Sequence, residues 1–176
     1  GYPFPLKLVG GYTGSGKTTL LKELARKDEP IIDLEALAKH KGSAFGNIGM
    51  PSQPSQEMFE NYLALAISDK YAEIKAAEKG NNRMDMPPQA IWIEDESQRI
   101  GHVNIPQSFW QNMRRSPVYF LDIPFDERLQ NIVADYGDLD KERMIAAIQR
   151  IAKRLGPLET KNAVRLLEEA NIKTSF

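Results

Sequence analysis

No cysteine occurs in the chain. That excludes disulfides, a cysteine-ligated zinc or iron–sulfur site, and thiol catalysis from within these residues. Histidine is scarce, at two in 176 residues. His40 has no second His or Cys as a partner and is not read as a metal ligand. No apolar run reaches the ~20 residues of a membrane-spanning helix, and no secretory leader is visible. The expected location is the cytoplasm, with no membrane partner. Charge of one sign is also lacking: the formal net charge is −1, so no global field draws nucleic acid, and any RNA contact must rest on a local basic face. There is no internal repeat and no low-complexity segment. What remains is an ordinary soluble composition, long enough for one domain with its own core. The chain opens on Gly1, directly before its first strand, which points to a domain excised from a longer protein.

Gly11-Tyr12-Thr13-Gly14-Ser15-Gly16-Lys17-Thr18 fits the G-x-x-x-x-G-K-[ST] phosphate loop at every fixed position. Leu6 to Gly10 reads as a buried strand before it. Thr18 to Arg26 reads as a helix after it, with Leu20, Leu21 and Leu24 on one face. Strand, glycine loop and helix are what phosphate binding requires. Glycines let backbone N–H groups turn inward, and the helix N-terminus adds partial positive charge. The expected phosphate ligands are Gly11, Thr13, Gly14, Ser15, Gly16, Lys17, Thr18 and Thr19. Lys17 would reach the terminal phosphate, and the Thr18 hydroxyl would hold Mg²⁺.

Ile31 to Leu34 reads as a second strand ending in acids. Asp33 and Glu35 either lie near the phosphates, as strand ends do in parallel α/β sheets, or are solvated. A long Gly/Ser/Pro/Gln-rich loop follows. Its Lys39, His40 and Lys41 could meet a phosphate backbone, and its Phe45 could stack on a base. The plainer alternative is a solvated loop with Phe45 tucked into the core. Ser55 caps a helix from Gln56 to Lys79, which Gly80-Asn81-Asn82 ends; Arg83 to Pro88 is a connector.

Ile91-Trp92-Ile93-Glu94-Asp95-Glu96 is an apolar strand running into acids, the pattern of a Mg²⁺-ordering Walker-B element. Glu94 ranks first for the metal, Asp95 second and Glu96 third. Arg99 is placed to return toward the phosphates as a charge clamp, or else pairs with one of these acids. A short helix through Phe109, Trp110 and Met113 ends at Arg114-Arg115. Pro117 to Ile123 reads as a further buried strand, followed by a helix to Tyr136 in which Arg128 is a weaker clamp candidate. Lys141 to Leu155 and Thr160 to Ala170 read as two amphipathic helices joined by Gly156-Pro157. Arg150, Lys153 and Arg154 form a basic edge facing RNA or water.

The expected fold is α/β: a P-loop NTPase-like three-layer fold with a mainly parallel sheet and a helical C-terminal part. Residues 1–125 form its sheet-bearing core and 126–176 a helical extension of the same domain. Four strands are visible where such sheets generally have five or more, so the native protein is expected to continue.

Taken together, the GYTGSGKT loop, IIDLEALAKHKGSAFG, QPSQEMFE and IWIEDESQRIG, in this order and spacing, resemble the C-terminal P-loop domain of the bacterial tRNA 2-selenouridine synthases. Lys41 stands where the family carries an arginine, which keeps the charge and loses the bidentate fork. The resemblance implies tRNA as partner and a transferase that geranylates 2-thiouridine at the wobble position of the tRNA anticodon from geranyl diphosphate and then replaces the geranylated sulfur with selenium. It also implies an N-terminal rhodanese-like domain, absent from this chain, that carries the essential cysteine. On this view Lys17, Glu94 and Arg99 are catalytic. Thr18, Glu94 and Asp95 hold Mg²⁺, and the loop holds ATP, GTP or geranyl diphosphate. Lys39, His40, Lys41, Ser43, Phe45 and Arg99 are the candidates for tRNA contact. Two other classes remain open: an ATP-dependent small-molecule kinase or NTPase, and a non-catalytic RNA-binding module.

Overall fold

Alternation of apolar side chains along the first and third strands gives the sheet its main buried face. The computed structural model describes residues 4–80, 89–137 and 139–169. Strands β1 (Leu6–Gly11), β2 (Ile31–Ile32), β3 (Ile91–Glu94) and β6 (Val118–Leu121) form one sheet in the order β2-β3-β1-β6. Every pairing is parallel, and Leu6 lies opposite Ile91 and Leu8 opposite Ile93. These four residues share a core with Phe59 and Leu63 of α3 (Gln56–Gly80) and with Phe109 and Met113 of α4 (Gln107–Arg114). Helix α1 (Lys17–Arg26) contacts β1, β2 and β3, and its buried Leu21 lies outside that cluster. Helices therefore cover both faces of the sheet, as a parallel sheet requires.

Three elements of the sheet-bearing part differ from the sequence expectation. Leu34 is not in a strand: Asp33 accepts a hydrogen bond from the Ala36 N–H (2.8 Å) and caps a short helix, α2 (Leu34–Ala38). Arg99–Ile100 (β4) and Val103–Asn104 (β5) form an antiparallel hairpin, with Gly101 in the left-handed region at its turn. The third is β6, an edge strand whose Val118, Tyr119 and Phe120 are exposed. Its apolar run reads as buried because an edge and an interior strand carry the same residues.

Helices α5 (Phe125–Tyr136), α6 (Lys141–Arg150), α7 (Ala152–Leu155) and α8 (Pro157–Glu168) complete the described residues. The expected helix 141–155 breaks at Ile151, and α8 begins earlier than Thr160, with Pro157 in its first turn. Tyr136, Met144, Ile148 and Leu167 form a second core that also takes in Ile48 and half-buried Phe45 from the long loop. The stop at Asn81-Asn82, the connector to Pro88 and the last residue of the expected final helix lie outside the described residues.

Two glutamines tie the long loop down. Gln56 donates to the Asn104 carbonyl and accepts from the Asn104 N–H, both at 2.8 Å. Gln53 donates to the carbonyls of Ala38 (3.0 Å) and Ile100 (3.1 Å) and accepts from the His102 N–H (3.0 Å). Polar side chains here do what backbone partners do in a strand, so a polar stretch holds one conformation without regular structure.

Candidate functional site

The strand order puts β1 between β3 and β6, so connections leave it in both directions and a crevice opens beyond the carboxyl ends. The glycine loop follows β1 into this crevice, and Glu94 ends β3 beside it. Gly14 and Gly16 have φ of 78° and 83°, and Gly16 serves as N-cap of α1. At Gly14 a Cβ would lie 2.5 Å from the Arg128 carbonyl oxygen of α5, so the loop needs glycine for both conformation and space. Helix α5 holds the loop from behind. Asn131 donates to the Gly14 carbonyl (2.8 Å) and Arg128 to the Thr13 carbonyl (3.3 Å). With these carbonyls held toward α5 and the Ser15 N–H donating to the Tyr12 carbonyl (3.1 Å), the curled loop suits an anion.

The resulting pocket, about 550 Å³, is lined by Gly11 to Thr19, Lys22, Glu35, Lys41, Gly42, Ser43, Asp95 to Ser97, Asp135 and Tyr136. All eight expected phosphate ligands line it. Lys17 Nζ donates to the Gly11 carbonyl (2.9 Å), and the Thr18 hydroxyl donates to Glu35 at 3.5 Å.

Three acids meet at the back. Glu35, Glu94 and Glu96 each bring a carboxylate oxygen to within 4.8 Å of the others. Glu94 is 0% exposed, and neither of its oxygens is hydrogen-bonded. Burial pushes its carboxyl up to about 7, with the neighbouring Thr18 hydroxyl opposing the rise. Burial pushes Glu35 up to about 8, reinforced by Glu94, Glu96 and Asp33 and opposed by Lys17. Glu96 is raised as well, again chiefly by burial. Stranded carboxylate oxygens are a hard donor set that suits Mg²⁺.

Asp95 lines the same pocket but forms an ion pair with Arg114, and the third member of the acid cluster is Glu96. Arg99 does not line the pocket; its Nε donates to the Gly101 carbonyl (2.9 Å) at the hairpin turn. Of the two acids after β2, Asp33 caps α2 and Glu35 enters the site.

The loop candidates divide in the same way. Lys41 and Ser43 line the pocket. Ser43 Oγ lies 2.9 Å from Tyr136 Oη, and Lys41 Nζ sits 5.5 Å from the centre of the Tyr136 ring. Lys39 is exposed at the end of α2. His40 is buried and accepts at Nδ1 from the Gly42 N–H (3.1 Å); burial, His102 and Arg150 lower its pKa. Phe45 packs on Tyr136, with ring centres 5.7 Å apart.

A second cavity of about 430 Å³ adjoins the first and shares Thr13, Gly42, Ser43 and Tyr136 with it. Its other walls are mainly apolar: Ala44, Phe45, Ile132, Ile151 and Leu155, with Arg154. Sequence reasoning missed Asn131, Ile132 and Tyr136. The available signal was their helical spacing with Arg128, which puts all four on one face of α5.

The chain matches the family described as tRNA 2-selenouridine synthase AAA domain over residues 4–175. Several curated relatives carry the name tRNA 2-selenouridine synthase. That of Nitrosomonas eutropha is 42% identical over 74% of this chain and 30% of its own length. That of Bdellovibrio bacteriovorus is 43% identical over 73% and 30%. That of Chromohalobacter salexigens is 34% identical over 92% and 44%. The chain thus spans about a third of the length of the curated relatives it matches. A solved Thermus thermophilus structure overlays 84% of this chain and 80% of its own at 18% identity, with a TM-score of 0.34. The fold assignment rests on the chain's own strand order.

Proposed function

This chain belongs to the tRNA 2-selenouridine synthase AAA-domain family, and from that premise we propose that it is the donor-handling part of a tRNA-modifying transferase. Its ligand on this reading is geranyl diphosphate, and its acceptor is the sulfur of a 2-thiouridine. One observation carries the reading: a mainly apolar cavity adjoins the phosphate pocket and shares Thr13, Gly42, Ser43 and Tyr136 with it. A phosphate cradle with a hydrocarbon-lined annex matches an isoprenoid diphosphate in both halves.

The diphosphate lies on the loop N–H groups and Lys17, and the isoprenoid chain runs between Phe45, Ile132 and Leu155. The thiouridine sulfur attacks the carbon that bears the diphosphate. The carbon–oxygen bond breaks, its electron pair leaves on the diphosphate, a sulfur–carbon bond forms, and the base sheds its N3 proton to water. Lys17, released from the Gly11 carbonyl, and the N-terminus of α1 offset the charge growing on the departing oxygens. Mg²⁺ would be held by Thr18 and Glu94, with Glu35 and Glu96 in reach, and would supply a further fixed positive charge there. Lys41 and Ser43 contact the donor or the tRNA from across the pocket. Exchange of sulfur for selenium calls on a thiol that this cysteine-free chain does not supply, and belongs to the rest of the full-length protein.

Calorimetric titration with geranyl diphosphate, inorganic diphosphate, ATP and GTP, with and without Mg²⁺, tests this. Geranyl diphosphate is expected to bind more tightly than either inorganic diphosphate or ATP. Lys17→Ala should weaken the two diphosphates about 10- to 100-fold, the range for a charge-assisted hydrogen bond. Preference for ATP followed by its hydrolysis would instead make the domain a kinase or NTPase. RNA binding without any diphosphate binding would make it a recognition module.

A further inference from the structure

Three exposed aromatic rings are linked by contacts to the glycine loop. Tyr12 is 60% exposed, Phe125 57% and Phe120 53%. Tyr12 belongs to the glycine loop and lines the pocket mouth. Its ring meets Phe120 edge-on, with centres 5.3 Å apart. The Arg128 guanidinium lies between two of the rings, 5.0 Å from Tyr12 and 5.5 Å from Phe125. It is fixed there from behind: Nε donates to the Ile123 carbonyl (3.1 Å) and Nη1 to the Thr13 carbonyl (3.3 Å). Among the described residues no carboxylate lies within ion-pair distance of Arg128, so no ion pair among them offsets its charge.

Exposed aromatics rarely gather without a partner. Here the patch joins flat apolar faces to one held positive charge, and the complementary occupant carries a flat π-face and a negative charge together. An unpaired nucleotide does both: its base stacks on rings and on a guanidinium plane, and its phosphate answers the charge. Base-paired RNA cannot, because its bases are stacked on one another. We propose that Tyr12, Phe125 and Arg128 form a platform for an unpaired nucleotide of the RNA substrate, with Phe120 buttressing Tyr12. This inference rests on the tRNA-modifying reading above. Because Tyr12 is part of the loop that holds the donor, a nucleotide seated on it lies beside the pocket mouth, where an acceptor base must arrive.

The test measures affinity of the chain for a tRNA anticodon stem-loop and for a blunt RNA duplex of equal length, with inorganic diphosphate titrated in parallel. Phe125→Ala and Tyr12→Ala are each expected to weaken stem-loop binding at least about five-fold, the lower bound for one lost base–aromatic stack. Tyr12→Phe should retain wild-type affinity, and Arg128→Lys, which keeps the charge and loses the plane, should weaken binding. Duplex affinity stays unchanged throughout, and Phe125→Ala leaves diphosphate affinity unchanged. The proposal is overturned if Phe125→Ala and Arg128→Lys leave stem-loop affinity intact, or if wild type does not prefer the stem-loop over the duplex. It is equally overturned if the substitutions change only the sedimentation of the protein, which would make the patch a protein-binding face. Stem-loop binding that depends on the platform, in a chain indifferent to geranyl diphosphate, would sink the donor reading and leave the platform standing.

Discussion

Glu94 is a fully buried acid at the candidate site. It ends an apolar strand, so the backbone delivers it into the interior, and no donor there satisfies either oxygen. A carboxylate in that position is unfavourable until a cation arrives. The sign of the pH dependence follows. Folded Glu94 and Glu35 hold protons up to about 7 and 8, against 4.5 when free. The folded protein then carries protons that the unfolded chain has released, and stability falls as pH rises through that window. In Mg²⁺-free buffer the melting temperature should therefore decline from about pH 5 to about pH 8. Glu94→Gln should flatten the decline and raise the melting point at the alkaline end by roughly 2–4 °C, the shift that about 1 kcal/mol produces at this size. The same variant should lose Mg²⁺-dependent diphosphate affinity, which separates relief of burial from a general gain in stability. A wild-type melting point that rises with pH would contradict the assignment.

At the scale of elements, the phosphate loop is shaped from two sides. Helix α5 fixes its outer carbonyls, and Gly14 lets the helix approach to a distance that any Cβ would block. Gly14→Ala combines backbone strain with overpacking and should destabilise the fold by roughly 2–4 kcal/mol in urea denaturation. It should also weaken diphosphate binding, because the loop and α5 must part. The long loop offers a cleaner test. Gln56→Ala removes two hydrogen bonds to Asn104 without touching the pocket. The expected loss is about 1–3 kcal/mol of stability, with diphosphate affinity retained in calorimetry. Gln53 and Gln56 lie in a stretch that composition marks only as loop. Their partners, Ala38, Ile100, His102 and Asn104, come from elements that sequence spacing alone does not bring together.

For the molecule as a whole, ligand binding and folding are linked. The cradle draws on β1, α1, α2, β3 and α5 at once, so only the assembled fold binds. Diphosphate with Mg²⁺ at a hundred times its dissociation constant should add about 2.7 kcal/mol. That appears as a rise of roughly 5–11 °C in melting temperature, absent in Lys17→Ala. No rise in wild type under saturating ligand would show that the loop is not the site.

The glycine loop between β1 and α1, the parallel α/β class and the buried acid after β3 were all legible in the sequence, because each is a local rule. A glycine pattern sets a backbone shape, a short apolar run sets a strand, and an acid at a strand's end lies where such sheets bind ligands. Where each acid sits and what it contacts was decided only by tertiary placement. Asp33 and Glu35 look alike in sequence, yet one caps a helix and the other faces Thr18. Asp95 and Glu96 are neighbours, yet one pairs with Arg114 and the other joins Glu94. The edge position of β6, the apolar annex built from Phe45, Ile132, Ile151 and Leu155, and the exposed ring platform also belong to the structure alone. Each depends on which distant segments meet, and one segment's composition and periodicity record how it folds, not what it folds against.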